Sequence, residues 1–264
     1  MSKLNITVIG CGWLGLPLGA ELVKSGYIVR GSTRTKSNLS SLKEKGIDPF
    51  NYDLLLNSKI STETIRFTDV LVLTIPPIQN SDVTYFGQKI TALCDQFQEK
   101  TKVIFISSTG IYPQKSGRYD EQYIFSEQEK QTSLFQAEHA LKTQLGSKLT
   151  VLRLGGLIGP NRHPVIHLQG KVNVKNPDAP VNLVHQKDVI AFILNIIEHR
   201  KSGGIFNLTH PEHPNRKEYF IEACQLRELN EMTFMESTQL KRRIVSKKAM
   251  EKLGFNFTHN IRHI

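Results

Sequence analysis

Cysteine is scarce in this chain, and what little there is stands far apart: Cys11, Cys94 and Cys224 are the only three in 264 residues. No CxxC pair occurs, so neither a disulfide framework nor a thiolate zinc site is expected, and a reducing cytoplasm suits the composition. Histidine offers no substitute as a metal cluster. His163 and His167 are four apart, but Pro164 between them disturbs any helix that would present both, and no metal site is expected. Long apolar runs are also missing. The longest, such as VLVLTI at 70–75, fall far short of the roughly 20 residues that span a bilayer. The VIGC at 8–11 imitates a lipoprotein cleavage site, but only about five apolar residues precede Cys11, against roughly 7–15 in a signal core. It reads as a first strand.

Acidic residues are outnumbered, 24 against 34 lysines and arginines, for a net charge of +10. Such a balance suits nucleic acid, an anionic surface or small anionic ligands. The densest cluster, Lys241, Arg242, Arg243, Lys247 and Lys248, has no aromatic residues interleaved for base stacking. It reads as solvated surface, and no nucleic-acid partner is expected.

What is present is alternation. Short β-branched runs (ITVI at 6–9, YIVRGS at 27–32, VLVLTI at 70–75, KVIFIS at 102–107, LTVLRL at 149–154) are separated by stretches with helical spacing. That pattern predicts an α/β fold, a doubly wound parallel sheet, because parallel neighbours need a crossover and the crossover packs on the sheet. Ser126 to Glu129 and Asn215 to Glu218 have the spacing of capping boxes, the second opening a helix through about Arg227. Further strands (181–184, 205–209) and helices (187–199, 246–253) follow among proline-rich loops. Residues 1–160 are expected to bind a dinucleotide, and 161–264 to complete the sheet and form a small C-terminal substrate lobe.

The dinucleotide expectation rests on Gly10-Cys11-Gly12-Trp13-Leu14-Gly15, a G-x-G-x-x-G turn between a strand and an amphipathic helix. The first glycine permits the tight turn, the second lets backbone approach a pyrophosphate, and the third allows close packing of helix on strand. The helix N-terminus adds free N–H groups and a positive dipole end. This predicts a Rossmann-type fold. At the end of the second strand, where an acidic residue would hold the ribose 2′-hydroxyl of NAD, the chain has Ser32-Thr33-Arg34, and no Asp or Glu lies between Glu21 and Glu44. Hydroxyls and a guanidinium suit a 2′-phosphate, so NADP is expected ahead of NAD.

From end to end the chain resembles the extended, atypical short-chain dehydrogenases/reductases of the NAD-dependent epimerase/dehydratase superfamily. The stretches that carry the resemblance are GCGWLGLPLG at 10–19, ISSTGIYP at 106–113, LRLGGLIGPNRHP at 152–164, VNLVHQKDV at 181–189, GGIFNLTHPEHP at 203–214 and SKKAMEKLGF at 246–255. The resemblance implies that Asp53 contacts the adenine ring, although a loop-capping role is the alternative, and that Thr74, Ile75 and Pro76 line the cofactor. It implies that Pro160 lies along the nicotinamide and that Thr109 polarises the reacting oxygen. Tyr112 becomes a candidate proton donor, with packing as its other role, and His163 and His185 become candidates for the substrate. A small polar or sugar-like substrate follows, and the resemblance also allows a homodimer. One departure stands out. The family's Tyr-x-x-x-Lys pair, in which lysine tunes the tyrosine that exchanges a proton with the substrate, aligns with Ser133 and Ala137. The chain's one Tyr-x-x-x-Lys, Tyr85 to Lys89, precedes the strand bearing Thr109 and reads as chance. A dinucleotide sensor without turnover is therefore the alternative to an enzyme.

Overall fold

The computed structural model describes residues 3–262 except 57, 79, 81, 201–202 and 237–239. Two compact units interleave along the chain. The first comprises Met1–Ser107, Phe125–Leu152 and Ile193–Ile205, and the second Ser108–Ile124, Arg153–Phe192 and Phe206–Ile264.

In chain order the regular elements are β1 (Asn5–Ile9), α1 (Gly15–Lys24), β2 (Ile28–Thr33), α2 (Leu39–Glu44), β3 (Asp48–Asn51), α3 (Thr62–Ile65), β4 (Val70–Leu73), α4 (Tyr85–Cys94) and β5 (Lys102–Ser108). There follow β6 (Gly117–Tyr119), α5 (Ser133–Leu145), β7 (Leu149–Leu154), β8 (Gly156–Ile158), α6 (Val165–Leu168) and β9 (Leu183–His185). The last are α7 (Gln186–Glu198), β10 (Gly204–Leu208), α8 (Arg216–Gln225), β11 (Arg242–Ile244) and α9 (Lys247–Leu253).

Seven strands form one parallel sheet in the order β10-β7-β5-β4-β1-β2-β3, flanked by helices. β1 pairs in parallel with β2 on one side and β4 on the other, so the chain starts mid-sheet and reverses its direction of growth there. In such sheets the crevice beyond the carboxyl ends of the two strands at the reversal is where ligands bind. The sequence explains the burial. β4 and β7 are apolar or β-branched along nearly their whole length and are buried at every position, as strands covered on both faces must be. Within the first unit, α4 lies against α5 so closely that a Cβ on Gly87 would stand 3.3 Å from the Ala137 Cα. A core of Leu71, Phe86, Ile90, Phe105 and Leu141 fills the space around that contact.

The second unit has two short parallel pairs, β8 with β9 and β6 with β11, and a core centred on Tyr219, Phe220 and Ile261. Asn215 caps α8, its Oδ1 accepting the N–H groups of Lys217 (2.9 Å) and Glu218 (3.4 Å), and the helix ends at Gln225, two residues before the expected Arg227. The other capping box forms without its helix. The Ser126 N–H donates to Glu129 Oε2 (2.9 Å) and the Glu129 N–H to Ser126 Oγ (3.3 Å), yet the segment is a turn. The residues that follow Ser126 are Glu-Gln-Glu-Lys-Gln, which offer no apolar face to propagate a helix. The helix starts at Ser133, with Thr132 Oγ1 accepting the Phe135 N–H. Among the described residues, no helix is long and apolar enough to cross a membrane.

Candidate functional site

The glycine turn of the first unit is built as its sequence requires. Gly10 has φ +100°, a conformation that L side chains rarely adopt, and the turn closes through the Gly12 N–H on the Gly10 carbonyl at 2.7 Å. A Cβ on Gly15 would stand 2.4 Å from the Gly10 oxygen and 2.8 Å from Thr74 Oγ1, so α1 can meet β1 here only without a side chain. A Cβ on Gly12 would meet nothing within 4 Å. The middle glycine therefore faces open space at the N-terminal end of α1, where the first N–H groups of a helix lack intrahelical acceptors. These residues fit a dinucleotide pyrophosphate.

Two residues expected to touch the cofactor instead shape the turn. Ser32 Oγ accepts the Gly10 N–H at 3.0 Å, and the Ser32 carbonyl accepts the Cys11 N–H at 2.7 Å. Ser32 is buried, so its oxygen serves the turn and not a 2′-phosphate. The Thr74 hydroxyl lies 2.7 Å from the Gly10 carbonyl and 3.0 Å from that of Ile9, and ties the end of β4 to the turn. Cys11 is buried, its thiol facing the Val8 carbonyl, and burial pushes its pKa up to about 12. It packs; it is no nucleophile. Leu14 is buried, while Trp13 is half-buried.

Beyond β2, Thr33 is buried and its Oγ1 accepts the Thr35 N–H, while Arg34 is exposed with no ion pair among the described residues. The Asp53 carboxylate accepts the Leu55 N–H at 2.9 Å and so caps the turn that follows it. Ile75 is partly buried and packs against the first unit's core; Pro76 follows it.

Helix α5 carries Ser133 and Ala137, the positions aligned with the missing catalytic pair. Ala137 is fully buried against α4, so position 137 is a helix-packing position. The face of α5 that reaches the carboxyl end of β5 carries Glu138, whose Oε1 accepts the Ser107 hydroxyl at 2.6 Å, with both residues buried. One turn earlier on that face stands Leu134. Neither 133/137 nor 134/138 holds a tyrosine or a lysine, and the Ser133 hydroxyl is buried without a partner among the described residues. The Glu138–Ser107 pair had no signal in the sequence: a glutamate mid-helix usually points to water. Tyr85 and Lys89 lie on α4, the ammonium 5.1 Å from the ring centroid.

In the second unit, Thr109 lies in the turn after β5, buried, its hydroxyl making no hydrogen bond among the described residues. Tyr112 is not available as a proton donor. Its ring is 1% exposed, and its hydroxyl lies 2.9 Å from both the Asp120 carbonyl and Asn207 Oδ1 while accepting from Arg153 Nη1 at 2.8 Å. Burial raises its pKa above the ordinary tyrosine value. His163 is likewise committed. The Val165 N–H donates to Nδ1, so Nε2 carries the proton and donates to the Tyr219 hydroxyl (2.7 Å), which donates to the Ile261 carbonyl (2.7 Å). Burial pushes the His163 pKa down to about 4. His185 is buried and stacks on His259 with centroids 4.9 Å apart, and His259 Nδ1 lies 2.7 Å from the buried Asp188 carboxylate. Pro160 is exposed in a tight turn closed by reciprocal bonds between Gly159 and Arg162.

The second unit contains instead a cavity of about 550 Å³, a size suited to a small-molecule site. Thr109 lines it together with Lys171, Arg216 and Arg242, and no carboxylate is among its described lining residues. Arg242, expected in a solvated cluster, is half-buried and braces the Thr109 turn. Its Nη2 donates to the carbonyls of Thr109 (2.6 Å) and Tyr112 (3.3 Å), and its Nε to that of Pro113 (2.9 Å). Arg216, first residue of α8, lies over Phe220 with Nε buried and unpartnered among the described residues, and desolvation lowers its pKa. Neither arginine was legible in the sequence, because neither belongs to a local motif.

Residues 5–129 match the family model described as the NAD binding domain of 6-phosphogluconate dehydrogenase. UDP-glucuronic acid 4-epimerase from Bacillus cereus, solved with NAD, superposes with a TM-score of 0.79 at 18% identity, covering 98% of this chain and 93% of that one. A functionally unknown conserved protein from Silicibacter pomeroyi superposes with a TM-score of 0.76 at 18% identity over 99% of this chain and 96% of that one. The protein thus has the Rossmann-like α/β fold of these structural neighbours. It is similar to Protein YeeZ from Escherichia coli strain K12, with 29% identity over 97% of this chain and 96% of that protein.

Proposed function

We propose that this protein is an NADP(H)-dependent oxidoreductase or epimerase-like enzyme acting on a small polar, sugar-like substrate that carries an anionic group. The observation that carries this reading is the second unit's cavity, which gathers the Thr109 hydroxyl, unengaged among the described residues, with Lys171, Arg216 and Arg242 and no described carboxylate. A bound dinucleotide supplies the hydride chemistry; Gly10, Gly12 and Gly15 hold its pyrophosphate, and the exposed Arg34 its 2′-phosphate. Thr109 orients the reacting oxygen. Lys171 and Arg216 hold the anionic group, and Arg242 keeps Thr109 in place by gripping its carbonyl. The structural neighbour named as a UDP-glucuronic acid 4-epimerase acts on a substrate with the charge this cavity favours.

The absence of a Tyr-x-x-x-Lys pair from α5 supports a second reading, a dinucleotide sensor without turnover. Nicotinamide absorbance, together with chromatography of the sugar because epimerisation leaves no net absorbance change, followed with NADP⁺ against UDP-glucuronic acid, UDP-glucose and free sugar acids, separates the two. Turnover that Thr109→Ala abolishes while NADPH affinity stays intact supports the enzyme. NADPH binding with no turnover of any of these compounds, and no heat of binding for them, supports the sensor.

A further inference from the structure

The first unit holds a second cavity, at the amino ends of its strands. Its volume is about 170 Å³, and it lies under the first residues of β4 and β5, with Leu4 at one side and the last turn of α7 at the other. Val70, Val103, Ile104, Ile196 and Ile197 make its walls apolar. Three cations, Lys100, Lys102 and Arg200, also line it, against one carboxylate, Asp69. That carboxylate is already engaged, its Oδ2 accepting the Asn5 N–H at 2.8 Å. None of the three cations forms an ion pair among the described residues, and the Lys102 ammonium is held only by a 3.4 Å contact with the Arg200 carbonyl. Apolar cavities of about 150 Å³ accommodate benzene. This one has the same capacity and adds positive charge around it.

The glycine turn follows the carboxyl end of β1, and this cavity sits at the opposite ends of the strands, roughly 16 Å away for a five-residue strand. A ligand here neither touches the dinucleotide nor depends on the proposed reaction. We propose that this cavity is a second ligand site, taking a small amphiphilic carboxylate of benzoate or hexanoate size, with the apolar body between the sheet and α7 and the carboxylate among Lys100, Lys102 and Arg200.

Two-dimensional amide NMR of the whole protein titrated with sodium benzoate, benzyl alcohol and benzylamine tests this. Benzoate is expected to bind in the roughly millimolar range, as suits a ligand of nine heavy atoms. Shifts should centre on Leu4, Val70 and Val103. Benzyl alcohol should bind about tenfold more weakly, and benzylamine not at all. Lys102→Glu, at the cavity's edge, should cost benzoate about tenfold while leaving benzyl alcohol unchanged, and Leu4→Trp should abolish both. Equal binding of benzoate and benzylamine overturns the proposal, as do shifts centred on Gly10 to Gly15, insensitivity to Lys102→Glu, or no binding of benzoate at ten millimolar.

Discussion

Substituting alanine at Gly12 and at Gly15 in turn separates what the glycine turn does for the fold from what it does for a ligand. At Gly15 the new methyl would stand 2.4 Å from a backbone oxygen and 2.8 Å from the Thr74 hydroxyl oxygen, so α1 must move off β1. Overpacking of this kind costs about 1–3 kcal/mol, which at about 2–4 °C per kcal/mol lowers Tm by roughly 2–12 °C. At Gly12 the methyl meets no protein atom within 4 Å, and φ is not positive, so alanine fits the folded chain. Its restricted unfolded state raises stability by up to about 1 kcal/mol. The methyl does, however, occupy the space through which a phosphate reaches backbone N–H groups. Losing one such charge-assisted hydrogen bond costs about 1.5–3 kcal/mol, or roughly 10- to 150-fold in NADPH affinity. The assay is built in: Trp13 is the chain's single tryptophan and adjoins Gly12, so quenching of its emission follows NADPH directly, while scanning fluorimetry follows Tm. The expected outcome is a crossed pair, with Gly12→Ala stable but weak in binding and Gly15→Ala unstable. Unchanged NADPH affinity in Gly12→Ala would refute the assignment of this turn to the pyrophosphate.

Arg34→Ala should weaken NADPH by about tenfold and leave NADH unchanged in the same titration; equal losses would place Arg34 outside 2′-phosphate recognition. His163 gives a pH dependence of stability. Its folded pKa of about 4 lies below the ordinary histidine value of 6.5, so the unfolded chain takes up the proton first. Its stabilising contribution is whole above pH 6.5 and fades as pH falls toward 4; allowing for screening, it amounts to about 2–3 kcal/mol. Melting scans across that range should show a shallower slope for His163→Phe than for the parent, with a residual slope from His185, His210 and His213, whose pKa values are also lowered by burial. Tyr112→Phe removes a hydroxyl bonded to Asp120, Asn207 and Arg153, and should lower stability by about 1–3 kcal/mol in denaturant unfolding. A catalytic role for Tyr112 instead predicts an unchanged melt and lost turnover.

Much of the architecture was legible in order along the chain. The runs at 6–9, 70–75, 102–107 and 149–154 are strands within two residues of their expected bounds, because a strand covered on both faces must be apolar throughout and such runs are visible locally. The glycine turn was legible for the same reason: each glycine answers a steric demand from atoms close by, and only one residue type satisfies it. Where local reading failed, a longer-range partner had decided. Ser32 and Thr74 carry hydroxyls that suit a ligand, but they are spent on the turn from 22 and 64 residues away. Tyr112 looked like a proton donor and His163 like a substrate ligand until Arg153, Asn207 and Tyr219 closed around them.

The sequence by itself determined that this chain builds a parallel α/β sheet and opens its first helix on a turn shaped for a pyrophosphate. Hydrophobic period and glycine sterics act over a few residues and leave their mark there. Only the tertiary structure decided which polar groups remain free for a ligand. Arg242 grips the Thr109 carbonyl across 133 residues of sequence, and Arg216 joins the same cavity from the start of another helix. Hydrogen-bond satisfaction is settled by whichever groups the fold brings within about 3 Å, and nothing in local spacing encodes that.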